Sequence, residues 1–151
     1  MMGLFDFFKM FKPSKIESKY NELMEKAYNA LIQDDNISQL SDEEKVFYVV
    51  YYFNAEWQNG GLCQFFVNSS RVYAPIIGEY LGIIGALEHK QIYEDFIKNN
   101  NINVNDLSYF ENRTISYQEK VNSYPFDKFD DEFYELPELD EYLEKYLEEY
   151  M

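Results

Sequence analysis

The chain has 151 residues, a formal net charge of −15, 46% apolar residues and 19% aromatics. That length suits one domain with its own core, and the apolar content argues against intrinsic disorder. The charge disfavours direct nucleic-acid binding and adsorption to anionic membranes, which both call for clustered lysine and arginine. It leaves two readings, attraction to basic partners or plain solubility.

Cys63 is the single cysteine, so no internal disulfide can form, which fits a reducing cytoplasm. Fifteen tyrosines and thirteen phenylalanines dominate the apolar content. Tyrosine suits half-buried positions, where the ring packs and the hydroxyl reaches water.

At the N-terminus, Leu4, Phe7, Phe8 and Phe11 recur at helical spacing and Asp6 interrupts the apolar run. This is not the pattern of a secretory signal, and Gly3 lacks the Ser or Thr of a myristoylation site. Residues 1–13 are expected to form an aromatic amphipathic helix that docks on the domain or a partner, or lies on a membrane surface. Two lysines on three turns make the membrane the weaker alternative.

Residues 14–151 are expected to form the helical domain. Ser14-x-x-Glu17 is a capping box ahead of Ile16, Tyr20, Leu23, Met24, Ala27 and Leu31 at a period of 3.6. Ser41-x-x-Glu44 is a second, with Asp42, Glu43 and Glu44 suited to the helix dipole. Val46 to Phe53 is wholly apolar or aromatic and in isolation could be a buried strand. The capping box and the length through Gln58 favour a central helix.

Asn59-Gly60-Gly61 follows, a backbone signal because asparagine and glycine reach positive φ at little cost. Leu62, Phe65 and Phe66 then restart a helical pattern almost without a linker, which predicts a tight corner between two helices. Glu56, Gln58, Gln64 and Asn68 are polar groups around it. They either form a small pocket or satisfy backbone groups freed at the corner.

Glu-x-x-Asn-Gly-Gly-x-x-Gln-Phe-Phe-x-Asn-Ser resembles the core motif of a bacterial family of domains of unknown function that includes an acidic DNA-mimic protein. Glu56, Asn59, Gly60, Gly61, Gln64, Phe65, Phe66, Asn68 and Ser69 match it, and Leu62 stands where the family often has an aromatic residue. The resemblance runs from about Asp42 to Tyr150, and the N-terminal aromatic segment is not part of it.

Val72 to Leu87 predicts another helix, with Gly78, Gly82 and Gly85 allowing close approach of a neighbour. Gln91 to Lys98 continues as helix, and the asparagines from Asn99 to Asn105 favour turns. Phe126, Phe129 and Phe133 have helical spacing. Asp130 to Tyr134 supplies an Asp-x-x-[Phe/Tyr]-Tyr element that the resemblance implies ahead of a terminal helix. That last helix is expected over Pro137 to Tyr150, with Leu139, Tyr142, Leu143, Tyr146, Leu147 and Tyr150 on one stripe and carboxylates on the rest.

The acidity is concentrated here. From Asp127 to Met151 there are eleven carboxylates against Lys128 and Lys145. Asp130, Asp131, Glu132, Glu135, Glu138, Glu141, Glu144 and Glu148 are the expected partner-binding residues.

Chemistry is hard to place. The lone histidine, His89, reads as a solvated residue at a helix end, and Cys63 as a small packed group. No P-loop, dinucleotide fingerprint, nucleophile elbow or zinc spacing occurs. Asp130, Asp131, Glu132 and Glu135 lack the loop glycine and alternating spacing of an EF-hand, so no metal or other cofactor is expected.

The sequence therefore predicts an all-α, compact multi-helix single domain with a tight Asn-Gly-Gly corner and an acidic amphipathic C-terminal helix. The expected function is non-enzymatic protein binding in the cytoplasm. Helix-borne carboxylates recur every ~5–6 Å, coarsely like charges along a nucleic-acid backbone. The resemblance implies a DNA mimic that occupies the DNA-binding face of a basic helix-turn-helix regulator. An immunity-type inhibitor of a basic nuclease or toxin is the alternative, and an enzyme using Glu56 the third reading. Whether the chain is a monomer or a homodimer stays open.

Overall fold

The computed structural model describes residues 15–34 and 37–150. The expected N-terminal helix and the Ser14 cap lie outside the described residues. Among those described there are eight α-helices and no strand, so the all-α expectation is met. The helices are α1 (Lys15–Asp34), α2 (Asp42–Val67), α3 (Ala74–Ile83), α4 (Leu87–Asn99), α5 (Ser108–Glu111), α6 (Tyr117–Asn122), α7 (Phe126–Tyr134) and α8 (Leu139–Tyr150), with a 3₁₀ turn over Ser69–Tyr73.

The capping box at Ser41 starts α2: Ser41 Oγ accepts the Glu44 N–H at 3.1 Å and Glu44 Oε1 accepts the Ser41 N–H at 2.9 Å. Glu44 also meets Lys26 Nζ of α1 at 2.7 Å. Val46 to Val50 and Phe53 are all buried, which a helix allows only when other elements surround it. Contacts with α1, α3, α5, α7 and α8 do surround α2, so the apolar run is a central helix and not a strand.

Tyr20, Leu23 and Ala27 bury the stripe of α1, and Leu139, Leu143, Tyr146 and Leu147 that of α8. Tyr146 donates its hydroxyl to the Glu43 carbonyl at 3.0 Å, and Asn54 Nδ2 donates to Asp140 Oδ1 at 3.1 Å, both fixing α8 to α2. Rings continue the core. Phe53 meets Phe65 edge-on at 5.0 Å and Phe133 at 6.0 Å, and Phe66 meets Phe126 at 6.0 Å.

Several boundaries differ from the sequence reading. The helix expected over Val72 to Leu87 is shorter, because Pro75 suits only its first turn and Gly85, at φ +85°, ends it in the left-handed region. Gly78 and Gly82 do face α4: a Cβ on Gly78 would lie 2.7 Å from Glu94 Oε1. The terminal helix starts at Leu139, two residues beyond Pro137. Asn100 and Asn101, the latter at φ +52°, close α4 as the asparagine run implied. Among the described residues, no helix is long and apolar enough to cross a membrane.

Candidate functional site

The corner is a break of two residues inside α2. Gly60 has φ −161°, which any residue can adopt. Gly61 has φ +77° and ψ −175°, a region open essentially to glycine alone. Space adds a second constraint, since a Cβ on Gly61 would stand 2.2 Å from Asp130 Oδ2.

A helix that restarts leaves its first N–H groups without intrahelical partners. Here a carboxylate from α7 takes one of them. Asp130 Oδ1 accepts the Leu62 N–H at 3.0 Å and the Trp57 indole N–H at 3.2 Å. Burial nevertheless holds the Asp130 carboxyl above the usual aspartate range, against the downward pull of those two donors.

On the other side of the break, Glu56 Oε2 accepts Gln64 Nε2 at 2.9 Å and Asn68 Nδ2 at 2.6 Å. Four residues that sequence reasoning grouped around the corner thus resolve into one network of three, Glu56, Gln64 and Asn68, which staples the two halves of α2. These side chains bond one another and leave the freed Leu62 amide to Asp130. Gln58 and Asn59 are exposed.

A groove of about 650 Å³ opens between the α2 break, the α7–α8 connection and the first turn of α8. Asn54, Trp57, Gln58, Asn59 and Gly61 line it from α2, and Asp130, Asp131, Phe133 and Tyr134 from α7. Glu138 and Leu139 complete one wall, with His89 from α4. The two sequence motifs, far apart in the chain, face each other across it.

His89 is not the solvated helix-end residue that its neighbours Glu88 and Lys90 suggest. It is 1% exposed in the first turn of α4, edge-on to Phe133 at 4.9 Å and Tyr142 at 5.4 Å. Its Nε2 lies 2.9 Å from the Pro137 carbonyl oxygen, so Nε2–H donates and Nδ1 carries the lone pair. Burial lowers its pKa, and the imidazole is neutral at physiological pH. Cys63 is buried as expected, its thiol pushed up to about 11 by desolvation, which suits packing and not nucleophilic attack.

The predicted partner-binding carboxylates divide. Asp131, Glu132, Glu135, Glu141 and Glu148 are exposed, and Glu138 and Glu144 half-buried. Asp130 turns inward to the break. Among the described residues, no group of three or more His, Cys, Asp or Glu is arranged to hold a metal.

Sequence reasoning missed the inward roles of Asp130 and His89, although the spacing carried both. Asp130 stands four residues after Phe126 and three before Phe133, on the buried face of α7, and His89 stands four before Tyr93 and seven before Phe96.

A family model described as DMP19-like protein matches residues 38–150, a span that holds the Asn-Gly-Gly break, Asp130 to Tyr134 and all of α8. No curated protein and no solved structure gives a significant match.

Proposed function

The chain belongs to the DMP19-like family, and on that premise we propose that it is an acidic protein-binding module acting without chemistry. In this reading it is a DNA mimic that occupies the DNA-binding face of a basic regulator. The observation that carries the reading is the two-sided build of α8. Leu139, Leu143 and Leu147 are at most 2% exposed, while Glu141 and Glu148 stand in solvent; Asp131 and Glu132 of α7 are exposed as well.

An anchored apolar side holds the backbone still, so the carboxylates keep a fixed spacing of ~5–6 Å along the helix. A fixed array of like charges recognises a complementary basic surface and speeds its encounter through long-range attraction. Few lysines compensate the array. Lys128 sits 3.9 Å from Glu132, and Lys145 is exposed on α8. The resemblance of the Asn-Gly-Gly motif to a family that includes a DNA mimic supports the same partner class.

Charge reversal tests the reading. The triple variant Glu141→Lys, Glu144→Lys, Glu148→Lys should keep its helical circular dichroism and lose affinity for the basic partner. Wild-type affinity should also fall steeply with salt, because exposed charges are screened over about 8 Å at physiological ionic strength. A partner bound equally well by the reversed chain, or regardless of salt, would reject the mechanism.

A further inference from the structure

We infer that the groove between the α2 break and the α7–α8 connection receives an arginine side chain of a basic protein partner. The inference rests on the acidic-module reading for the class of partner and adds where that partner is gripped.

Charge is the first argument. Asp130, Asp131 and Glu138 line the groove, and no lysine or arginine is among its described lining residues. His89 adds no positive charge, being buried and neutral. The groove is therefore a concave site of one sign, where low-dielectric walls concentrate the field.

Shape and surface are the second. Half-buried Trp57 and exposed Tyr134 give the groove its accessible aromatic surface, and the buried Phe133 ring, 5.1 Å from that of Trp57, supports it. Tyr134 is 68% exposed, a large ring left at the rim with its surface free. A volume of about 650 Å³ is ample for one extended side chain and the backbone that carries it.

Guanidinium is the cation that uses both features. It is planar and stacks on aromatic faces, stays charged, and offers paired N–H donors to carboxylates. Asp131 and Glu138 are the carboxylates free to meet it, since Asp130 Oδ1 already serves Leu62 and Trp57. An ammonium would keep the charge and lose the stacking.

The full chain itself supplies the probe. Trp57 is its one tryptophan, so its indole N–H gives a single resonance, and the residue lines the groove with that N–H bonded to Asp130. An acetylated, amidated Gly-Arg-Gly peptide titrated into the protein should shift this resonance saturably. The same peptide with citrulline, which keeps the shape and lacks the charge, should bind several-fold more weakly. Asp131→Asn with Glu138→Gln should weaken the arginine peptide by about three- to tenfold, while Glu25→Gln, exposed on α1 and outside the groove, leaves it unchanged. No saturable shift, equal binding of citrulline, or indifference to the double variant would overturn the inference. If salt-sensitive binding of a basic protein persisted in that case, only the groove would be rejected and the acidic-module reading would stand.

Discussion

Asp130 Oδ1 lies 3.0 Å from the Leu62 amide nitrogen, so the N-terminus of a restarted helix is closed by a carboxylate 68 residues further along the chain. One bond ties the Asn-Gly-Gly motif to the Asp-x-x-Phe-Tyr element. Removing the acceptor should be costly. Asp130→Ala leaves the Leu62 amide and the Trp57 indole without their partner and should destabilise by about 1–3 kcal/mol in chemical denaturation. Asp130→Asn keeps an acceptor oxygen and should cost clearly less; equal losses in the two variants would contradict this role.

The same carboxyl sets a pH dependence. Burial raises its pKa in the folded state, so the folded protein binds that proton more tightly than the unfolded chain. Its contribution to stability is therefore present in acid and lost as pH rises through the folded value. The stability of wild type relative to Asp130→Asn should accordingly be greatest in acid and decline as pH rises past the usual aspartate range. A difference that stays flat across that range would show Asp130 unperturbed.

Gly61 should tolerate no side chain. Its φ of +77° with ψ −175° and the 2.2 Å approach of Asp130 Oδ2 act together, so Gly61→Ala should cost about 1–3 kcal/mol or more. Gly60 has unstrained φ, and a Cβ there meets only the Gln64 side chain, which can turn away at the expense of its bond to Glu56, so Gly60→Ala should cost less. Thermal unfolding of the two variants gives the order. A Gly61→Ala protein as stable as wild type would remove the explanation of the motif.

His89 works in the opposite direction from Asp130. Its pKa is lowered by burial, so protonation favours the unfolded chain, and its stabilising share is present above the usual imidazole value and lost as pH falls. As the one histidine, it is the side chain whose ordinary titration range lies between about pH 5 and about pH 8. Wild type should lose more stability over that interval than His89→Gln. Parallel losses would place the pH sensitivity elsewhere.

The two sides of α8 should respond in contrasting ways. Leu143 is fully buried, and Leu143→Ala should cost about 2–5 kcal/mol through lost contact and a cavity. Glu148→Lys lies in solvent and should move stability by about 0.5 kcal/mol or less. Unfolding midpoints for the pair would show whether the carboxylates are free of structural duty.

Much of this was legible in the residues. Ser41 and Glu44 announced the start of α2, and Asn59-Gly60-Gly61 announced its break, because capping and positive φ are local requirements that leave local signatures. The leucine stripe of α8 was equally plain. Asp130 was less so. Its place in a run of acids suggested solvent, and only the apolar spacing of Phe126, Phe129 and Phe133 marked it as inward. His89 was hidden in the same way by charged neighbours. The partner of each is distant in sequence, Leu62 for Asp130 and the Pro137 carbonyl for His89, and no local pattern encodes a pairing made by tertiary packing.

The central claim is that the acidic face takes the place of DNA on a basic partner. Competition measures this most directly: a labelled DNA duplex bound to the purified regulator is titrated with the chain at fixed, near-physiological salt. The chain should displace the duplex completely, with an apparent affinity that weakens when Glu141, Glu144 and Glu148 are reversed. A stable ternary complex of regulator, duplex and chain would contradict the claim.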